Sequence, residues 1–599
     1  MNVETLVDLF EYATQTHRKS NTFLTKRAGQ YEPVPAEEVR EKVYLVGAGL
    51  VSLGVKKRDR IGLLSENRPE WAIVDFGILW AGAINVPIFP TLPVAQIRDL
   101  LLDCEPRVLF VSNVKQLENI LSIAGDLPSL EKIIILEGIA GPSHPVTSFT
   151  QLLESGARFL KGNPGMVEEY RRQIRPDDIA SIIYTSGATG IPKGVMLSHG
   201  NIISNVLGCA EAISIDHSDL ALSFLPLSHI FERTVDYLML YRGASIAYAE
   251  NVETVAENML EVRPTLVACV PRFFEKMYAR IQETMQASSP LRRGLMSWAL
   301  KVGRQFNHST RANRRVPVLL RLQKGVAEIL VFSKLKKKLG GRLRFFISGG
   351  APLAPELAEF FFSAGILILE GYGLTETSPV IAVNRPAQFK FGTVGPPLHN
   401  VSIKIAADGE IWTRGPAVMK GYYGKETESR DVMQDGWFHT GDIGVLEKDG
   451  FLKITDRKKD IIITATGKNV APQKIENLLK SNPHFLNVVV VGNKRPFLSA
   501  LIVPNPAKVK QAAKALGLQS SDYGKLIHDP QIYQHYMGQI QRLATDLAPF
   551  EQIKRIVLLE NDFSIEKGEM TATMKVRRRI VEDKYRDLIE QIYSKTGRE

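Results

Sequence analysis

Cysteine is scarce in this chain: Cys104, Cys209 and Cys269 are the only three in 599 residues. Their wide spacing excludes a disulfide framework and a cysteine-built zinc site, and it fits a reducing compartment with buried thiols. Also missing is a run of about 20 apolar residues, the length needed to cross a bilayer. The nearest approach, Trp71 to Leu92, is interrupted by Asp75, Asn85, Pro87 and Pro90 and reads as a buried helix leading into a strand. The opening residues, Met1-Asn-Val-Glu-Thr-Leu-Val-Asp, lack the basic-then-apolar layout of a secretory leader. Repeats and low-complexity tracts are missing too. These absences point to a cytoplasmic globular chain, and with 44% hydrophobic and 23% charged residues its length suggests about three or four domain-sized units.

Acidic residues are almost absent from one stretch. The net charge is +11, yet between Arg292 and Arg344 stand fifteen Lys or Arg against one acid, Glu328, leaving 60 basic and 63 acidic residues elsewhere. This segment carries Trp298, Leu319, Leu320, Ile329, Leu330, Val331 and Phe332 at roughly helical spacing and ends Lys334-Leu-Lys-Lys-Lys338. Such a pattern suits peripheral contact with an anionic membrane surface, on its cytoplasmic face. A solvated helical hairpin is the equal alternative. No groove-reading motif accompanies the charge, so nucleic acid is not expected.

Residues 1 to about 180 alternate helix-like and strand-like segments, such as Val43–Leu53, Arg60–Leu64 and Val108–Val111. The alternation continues through Ala221–Leu225, Thr265–Val270 and Leu343–Ser348. It predicts an α/β fold: a large N-terminal domain, 1–456, of mostly parallel, helix-covered sheets. From about 392 to 456, short strands with Gly and Asp turns predict a small β-rich subdomain, and 457–599 reads as a smaller α+β C-terminal domain.

The most specific stretch is Tyr184-Thr-Ser-Gly-Ala-Thr-Gly-Ile-Pro-Lys-Gly194, between a strand-like and a helix-like segment. Its glycines bring backbone N–H groups close to a ligand, its hydroxyls add donors and Lys193 adds a charge, a set suited to a polyphosphate. It is not a Walker A loop, since Lys193 stands between Pro192 and Gly194. Glu370-Gly-Tyr-Gly-Leu-Thr-Glu-Thr377 offers an aromatic face to a purine, a hydroxyl to a phosphate and a hard oxygen ligand for Mg²⁺. Ser348-Gly-Gly-Ala-Pro352, Thr440-Gly-Asp442 with Asp456-Arg457, and Gly467-Lys-Asn-Val are weaker alone. So is the lysine in Gly568-Glu-Met-Thr-Ala-Thr-Met-Lys575.

Taken in order from Tyr184 to Arg579, these motifs resemble those of the adenylate-forming enzymes, which include acyl-CoA synthetases, luciferases and peptide-synthetase adenylation domains. The resemblance implies ATP, Mg²⁺ and CoA as cofactor and co-substrates. It implies that Thr185, Ser186, Gly187, Thr189, Gly190 and Lys193 hold the ATP phosphates. Gly349, Gly350, Ala351, Tyr372 and Gly373 would border the adenine, Thr375 the α-phosphate, and Asp442 with Arg457 the ribose. Glu376 would hold the metal, and Lys459 would be the hinge on which a mobile C-terminal domain turns. Gly467 and Lys468 would face CoA, and Lys575 would be the catalytic lysine. His229, in Pro226-Leu-Ser-His-Ile-Phe-Glu-Arg233, would act as gate and orienter at the acyl carboxylate.

The stretch Arg263–Tyr278 with the basic insertion after it is similar to long-chain fatty acid–CoA ligases. That implies fatty acid, ATP and CoA as small-molecule substrates. Alternatives within the resemblance are a fatty acyl-AMP ligase loading a separate carrier protein, or a CoA ligase for another hydrophobic acid. A silent nucleotide sensor stands further off, since Lys193, Glu376 and Lys575 are all in place; a luciferase-like oxygenase would share the first half-reaction, and a test for light or oxygen use separates it. A homodimer is compatible with the sequence.

Overall fold

The computed structural model describes residues 2–138, 146–186, 192–311, 315–520, 522–545, 547–571 and 575–594. Two eight-stranded sheets dominate it. One runs, in spatial order, Val380–Val383, Leu367–Gly373, Phe345–Ser348, Leu266–Cys269, Leu220–Ser223, Ser245–Tyr248, Phe23–Arg27, Gln30–Val34. The other runs Gly421–Tyr422, Pro192–Ser198, Ile179–Ser186, Ile84–Ile88, Arg60–Leu64, Val108–Val111, Lys132–Ile135, Val146–Ser148. Inner neighbours pair parallel and the outermost strands of each sheet include antiparallel ones.

Successive strand residues point to opposite faces, which is why these strands read as unbroken apolar runs: both faces are covered. Ile61, Leu63 and Phe110 of one sheet share a core with Ala221, Ile246 and Ile347 of the other. Helices Pro69–Trp80, His199–Ala212 and Ile230–Tyr241 supply the rest of that core. The alternate strand residues, such as Leu109 and Val111, or Val267 and Phe346, form two outer cores against further helices. Five layers result, helices alternating with sheets. Helix Pro69–Trp80 is buried at all but one of its positions, so it is apolar all round, and Ile84–Ile88 follows it as a strand. No helix among the described residues is long and apolar enough to cross a membrane.

Asp75 is the polar interruption in that helix, and burial forces it to be paired. Its carboxylate receives Arg233 Nε (3.1 Å), Tyr237 Oη (2.6 Å) and Asn85 Nδ2 (2.6 Å). Arg233 also donates to Ser181 Oγ at 2.8 Å. Arg233 and Tyr237 lie on the rear of helix Ile230–Tyr241, so that helix is tied to helix Pro69–Trp80 and to strand Ile179–Ser186 by buried, charge-assisted bonds.

An antiparallel sheet of five short strands within 402–457 follows, matching the β-rich texture. Beyond it, strands Phe485–Val491, Leu498–Pro504 and Ile553–Leu558 form a sheet. Helices Pro472–Lys480, Pro506–Ala515 and Pro530–Leu543 cover one face, and Arg578–Lys584 and Arg586–Ser594 the other.

The basic segment is helical: Pro290–Arg311, then Val318–Ala327 continuing through a wider turn, Glu328–Phe332, into Ser333–Lys337. Phe332 is fully buried, with Trp298, Leu320 and Val331 packed around it, so these four form a small core rather than a lipid-facing surface. Leu319, Ile329 and Leu330 are exposed, and Val318, Leu322 and Val326 join them at spacings of one, three and four residues. Lys336 is tied to Glu328 at 2.7 Å, whereas Lys334, Lys337 and Lys338 are exposed.

Candidate active site

A cavity of about 1080 Å³ opens where the C-terminal sheet unit meets the ends of the large sheets. Thr185 and Lys193 line it from facing positions on the hairpin strands Ile179–Ser186 and Pro192–Ser198. The turn between them, with Gly187, Thr189 and Gly190, lies outside the described residues, as does the side chain of Ser186.

Strand Leu367–Gly373 brings Tyr372, Gly373, Thr375 and Glu376 to the same wall. Gly373 has no substitute there: a Cβ would sit 1.8 Å from the Pro379 carbonyl oxygen. Gly349 and Gly350 border the cavity, Gly350 with φ +81° where a side chain would be strained, while Ala351 stands just outside the lining.

Tyr372 donates its hydroxyl to Asp442 Oδ2 at 2.8 Å, and Arg457 Nε donates to Asp442 Oδ1 at 3.0 Å. Burial, reinforced by that carboxylate, pushes the Tyr372 phenol well above its ordinary range, so it stays a donor. The turn carrying Asp442 is held from below. Glu410 accepts the Gly441 N–H at 2.9 Å and is itself paired with Lys458 at 2.9 Å. Glu410 and Lys458 carry no motif and are visible only through this pairing.

Glu376 accepts a hydrogen bond from Tyr422 Oη at 2.9 Å through Oε1, which leaves Oε2 without a hydrogen-bond partner among the described residues. Among those residues no cluster of three metal-ligating side chains occurs. A single free carboxylate oxygen beside a polyphosphate-sized cavity fits Mg²⁺, which takes one or two carboxylates and completes its shell with phosphate oxygens and water.

Lys575 reaches the cavity from the C-terminal unit. Its loop is closed by Thr571 N–H to Lys575 carbonyl (2.8 Å) and Lys575 N–H to Thr571 Oγ1 (3.1 Å). The ammonium faces the water of the cleft but is walled by protein. Desolvation and then the positive Arg457 lower its pKa to about 8, against the pull of Asp442 and Glu376. His229 caps helix Ile230–Tyr241, its Nδ1 accepting the Phe231 N–H at 3.1 Å, which places the ring proton on Nε2. Desolvation and Lys575 lower its pKa to about 4, so it is a neutral donor at working pH.

Beyond His229 the lining turns apolar. Val235 and Leu238 come from the front of helix Ile230–Tyr241, Cys209 from helix His199–Ala212 with Ile213 at its C-terminal end, and Val380 and Val383 from the sheet edge. Sequence spacing gave no sign of this arm, because its members come from distant segments.

Lys459 lines the cavity mouth, next to the strand Leu452–Arg457. Gly467 and Lys468 are not brought to it. They form an exposed turn, Gly467 with φ +75° and Lys468 N–H bonded to Thr464 Oγ1 at 3.1 Å.

Comparison with known proteins places this geometry in company. Residues 10–423 match the AMP-binding enzyme family and residues 459–597 match the AMP-binding enzyme C-terminal domain. A long-chain-fatty-acid–CoA ligase of Mycobacterium bovis is 35% identical, covering 95% of this chain and 93% of its own length. A peroxisomal long-chain acyl-CoA synthetase of Arabidopsis thaliana is 32% identical over 99% of this chain and 87% of its own. Among solved structures, an anthranilate CoA ligase superposes with a TM-score of 0.72 at 22% identity, covering 98% of both chains. The adenylation domain of a Mycobacterium chelonae carboxylate reductase gives 0.75 at 20% identity, covering 98% of this chain and 91% of its own. At these identities the two structures speak for the fold alone.

Proposed function

The chain belongs to the AMP-binding enzyme family, and from that premise we propose that it joins a long-chain fatty acid to CoA at the expense of ATP, through an acyl-adenylate. The observation that carries the reading is one cavity with Lys193, Tyr372, Glu376 and Lys575 at its polar end and an apolar arm beyond His229.

In the first half-reaction a carboxylate oxygen forms a bond to the α-phosphorus of ATP and the bond to diphosphate breaks. Both reactants are anions, so the barrier is repulsion and charge gathering at phosphorus. Lys575, from the C-terminal unit, and Lys193, from strand Pro192–Ser198, offset that charge, an electrostatic effect strongest where water is thinned out. Tyr372 offers its ring to the adenine, and Asp442, steadied by Arg457, accepts from the ribose hydroxyls. The Thr375 hydroxyl donates to the α-phosphate. The neutral His229 directs its Nε2–H at the acyl carboxylate, orienting it without taking its proton. Glu376 would hold the magnesium that accompanies ATP, and that ion when bound screens the phosphate charges.

In the second half-reaction the CoA thiolate attacks the acyl carbonyl, a C–S bond forms and AMP departs. The division into an N-terminal domain to residue 456 and a mobile C-terminal one from 457 belongs to this step. Gly467 and Lys468 lie outside the cleft in the present arrangement, which supports a turn about Lys459 that withdraws Lys575 and brings them in. The exposed apolar stripe Val318–Leu330 with Lys334, Lys337 and Lys338 supports peripheral attachment to an anionic lipid surface, where a long-chain acid resides.

The test is diphosphate release with acids from acetate to stearate, with and without CoA. Release that rises with chain length and thioester formed only with CoA are expected. Release without any lipid acid dependence, or transfer only to a carrier protein, would overturn the reading.

A further inference from the structure

Tyr422 enters the cavity from a two-residue strand, Gly421–Tyr422, that pairs antiparallel with Pro192–Ser198, Tyr422 facing Val195. The residue is 7% exposed. The hydroxyl donates to Glu376 Oε1 at 2.9 Å, and the Lys193 ammonium lies 4.9 Å from the ring centroid. Among the described residues Lys193 forms no ion pair with Glu376 or with any other carboxylate.

Two opposite charges sharing one cleft wall would be expected to collapse together, and phosphate would then have to part them. An aromatic ring holds an ammonium through its negative face while its hydroxyl satisfies a carboxylate, so one side chain can occupy both. We infer that Tyr422 is a positioning residue that keeps Lys193 and Glu376 apart and aimed into the cleft, the ammonium on its ring face and the carboxylate on its hydroxyl, ready for a nucleoside triphosphate. This rests on the reading of the cavity as an ATP site and adds to it a residue that no motif carries. The ring sets Lys193 for phosphate; the hydroxyl leaves Oε2 of Glu376 free for the cation.

The two functions separate in equilibrium binding of ATP, measured by calorimetry once in EDTA and once with Mg²⁺. Tyr422→Phe keeps the ring and is expected to match the wild type in EDTA, while losing about tenfold of the affinity gained with Mg²⁺. Tyr422→Leu removes the ring as well and is expected to bind about tenfold more weakly in EDTA, because Lys193 then pairs with Glu376. Adding Glu376→Gln to Tyr422→Leu should restore binding in EDTA, a larger gain than Glu376→Gln gives alone. Wild-type affinity of Tyr422→Phe in both media, or a Tyr422→Leu defect that Glu376→Gln leaves untouched, would overturn the assignment. Should Tyr422→Leu not fold, the Tyr422→Phe comparison decides by itself. Absence of ATP binding by the wild type would instead overturn the reading of the cavity, and the two failures are thereby told apart.

Discussion

Arg578 donates to the carboxylate of Glu476 at 2.5 Å, and the same oxygen accepts the Val490 N–H at 2.8 Å. Three residues after Lys575, this bond fastens the loop that carries it to helix Pro472–Lys480 and strand Phe485–Val491. Both partners are largely buried, so removing one leaves a charge without its mate. Arg578→Met is expected to destabilise the C-terminal unit by about 3 kcal/mol, read as an earlier denaturant midpoint, and to slow adenylation more than thioester formation.

Lys575→Ala should lower acyl-adenylate formation by at least about a hundredfold, the scale of a lost charge-stabilising donor. Thioester formation from added acyl-adenylate should stay close to wild type. Equal loss of both half-reactions would remove Lys575 from its assigned step.

The pH dependence follows from the lowered pKa of Lys575, about 8 against an ordinary 10.5. In the proposed step the protonated form is the active one, so kcat/KM for adenylation is expected to hold below pH 8 and to fall as the pH rises through it. Lys575→Arg keeps its charge and should carry the alkaline limb above pH 10. His229, at about 4, stays neutral through the usual histidine range and contributes no inflection near 6.5.

Asp442→Ala should remove discrimination between ATP and 2′-deoxy-ATP, since the ribose hydroxyls lose their acceptor. The KM for ATP should rise by about tenfold or more, a charge-assisted hydrogen bond's worth. Retained preference for the ribonucleotide would place ribose elsewhere.

Chain length should be set by the arm beyond His229. Cys209→Phe or Leu238→Trp fills it, and the preferred acid is expected to shorten by several carbons while the KM for ATP stays put. Competition between octanoate and palmitate measures the shift.

For the membrane face, Lys334→Gln, Lys337→Gln and Lys338→Gln together should weaken binding to vesicles with phosphatidylserine by about a hundredfold, at about 1 kcal/mol per lysine. Lys336→Gln should do little, since that residue is already paired with Glu328. Unchanged vesicle binding by the triple variant would leave a solvated hairpin.

The parts of the site that the sequence made legible are contiguous. Glu370 to Thr377 and Tyr184 to Gly194 each put several cavity-lining residues close together in the chain, so order alone shows them as a group. Tyr422 was invisible because its position is set by strand pairing with a segment more than two hundred residues earlier. The acyl arm was invisible for a related reason, as Cys209, Leu238 and Val380 meet only after the two sheets close on their helices. Within the basic segment, composition could not separate Phe332, which faces inward, from Ile329, which does not. The layers themselves were legible, because strands covered on both faces must read as apolar runs.

Helix Ile230–Tyr241 gives the apolar arm of the cavity a wall that cannot recede. Its rear is bolted through Arg233 and Tyr237 to Asp75 on one neighbour and Ser181 on another, all deeply interior. If the acyl tail lies there as proposed, an overlong substrate would meet a stiff backstop, and its length would be measured with a ruler rather than with a spring.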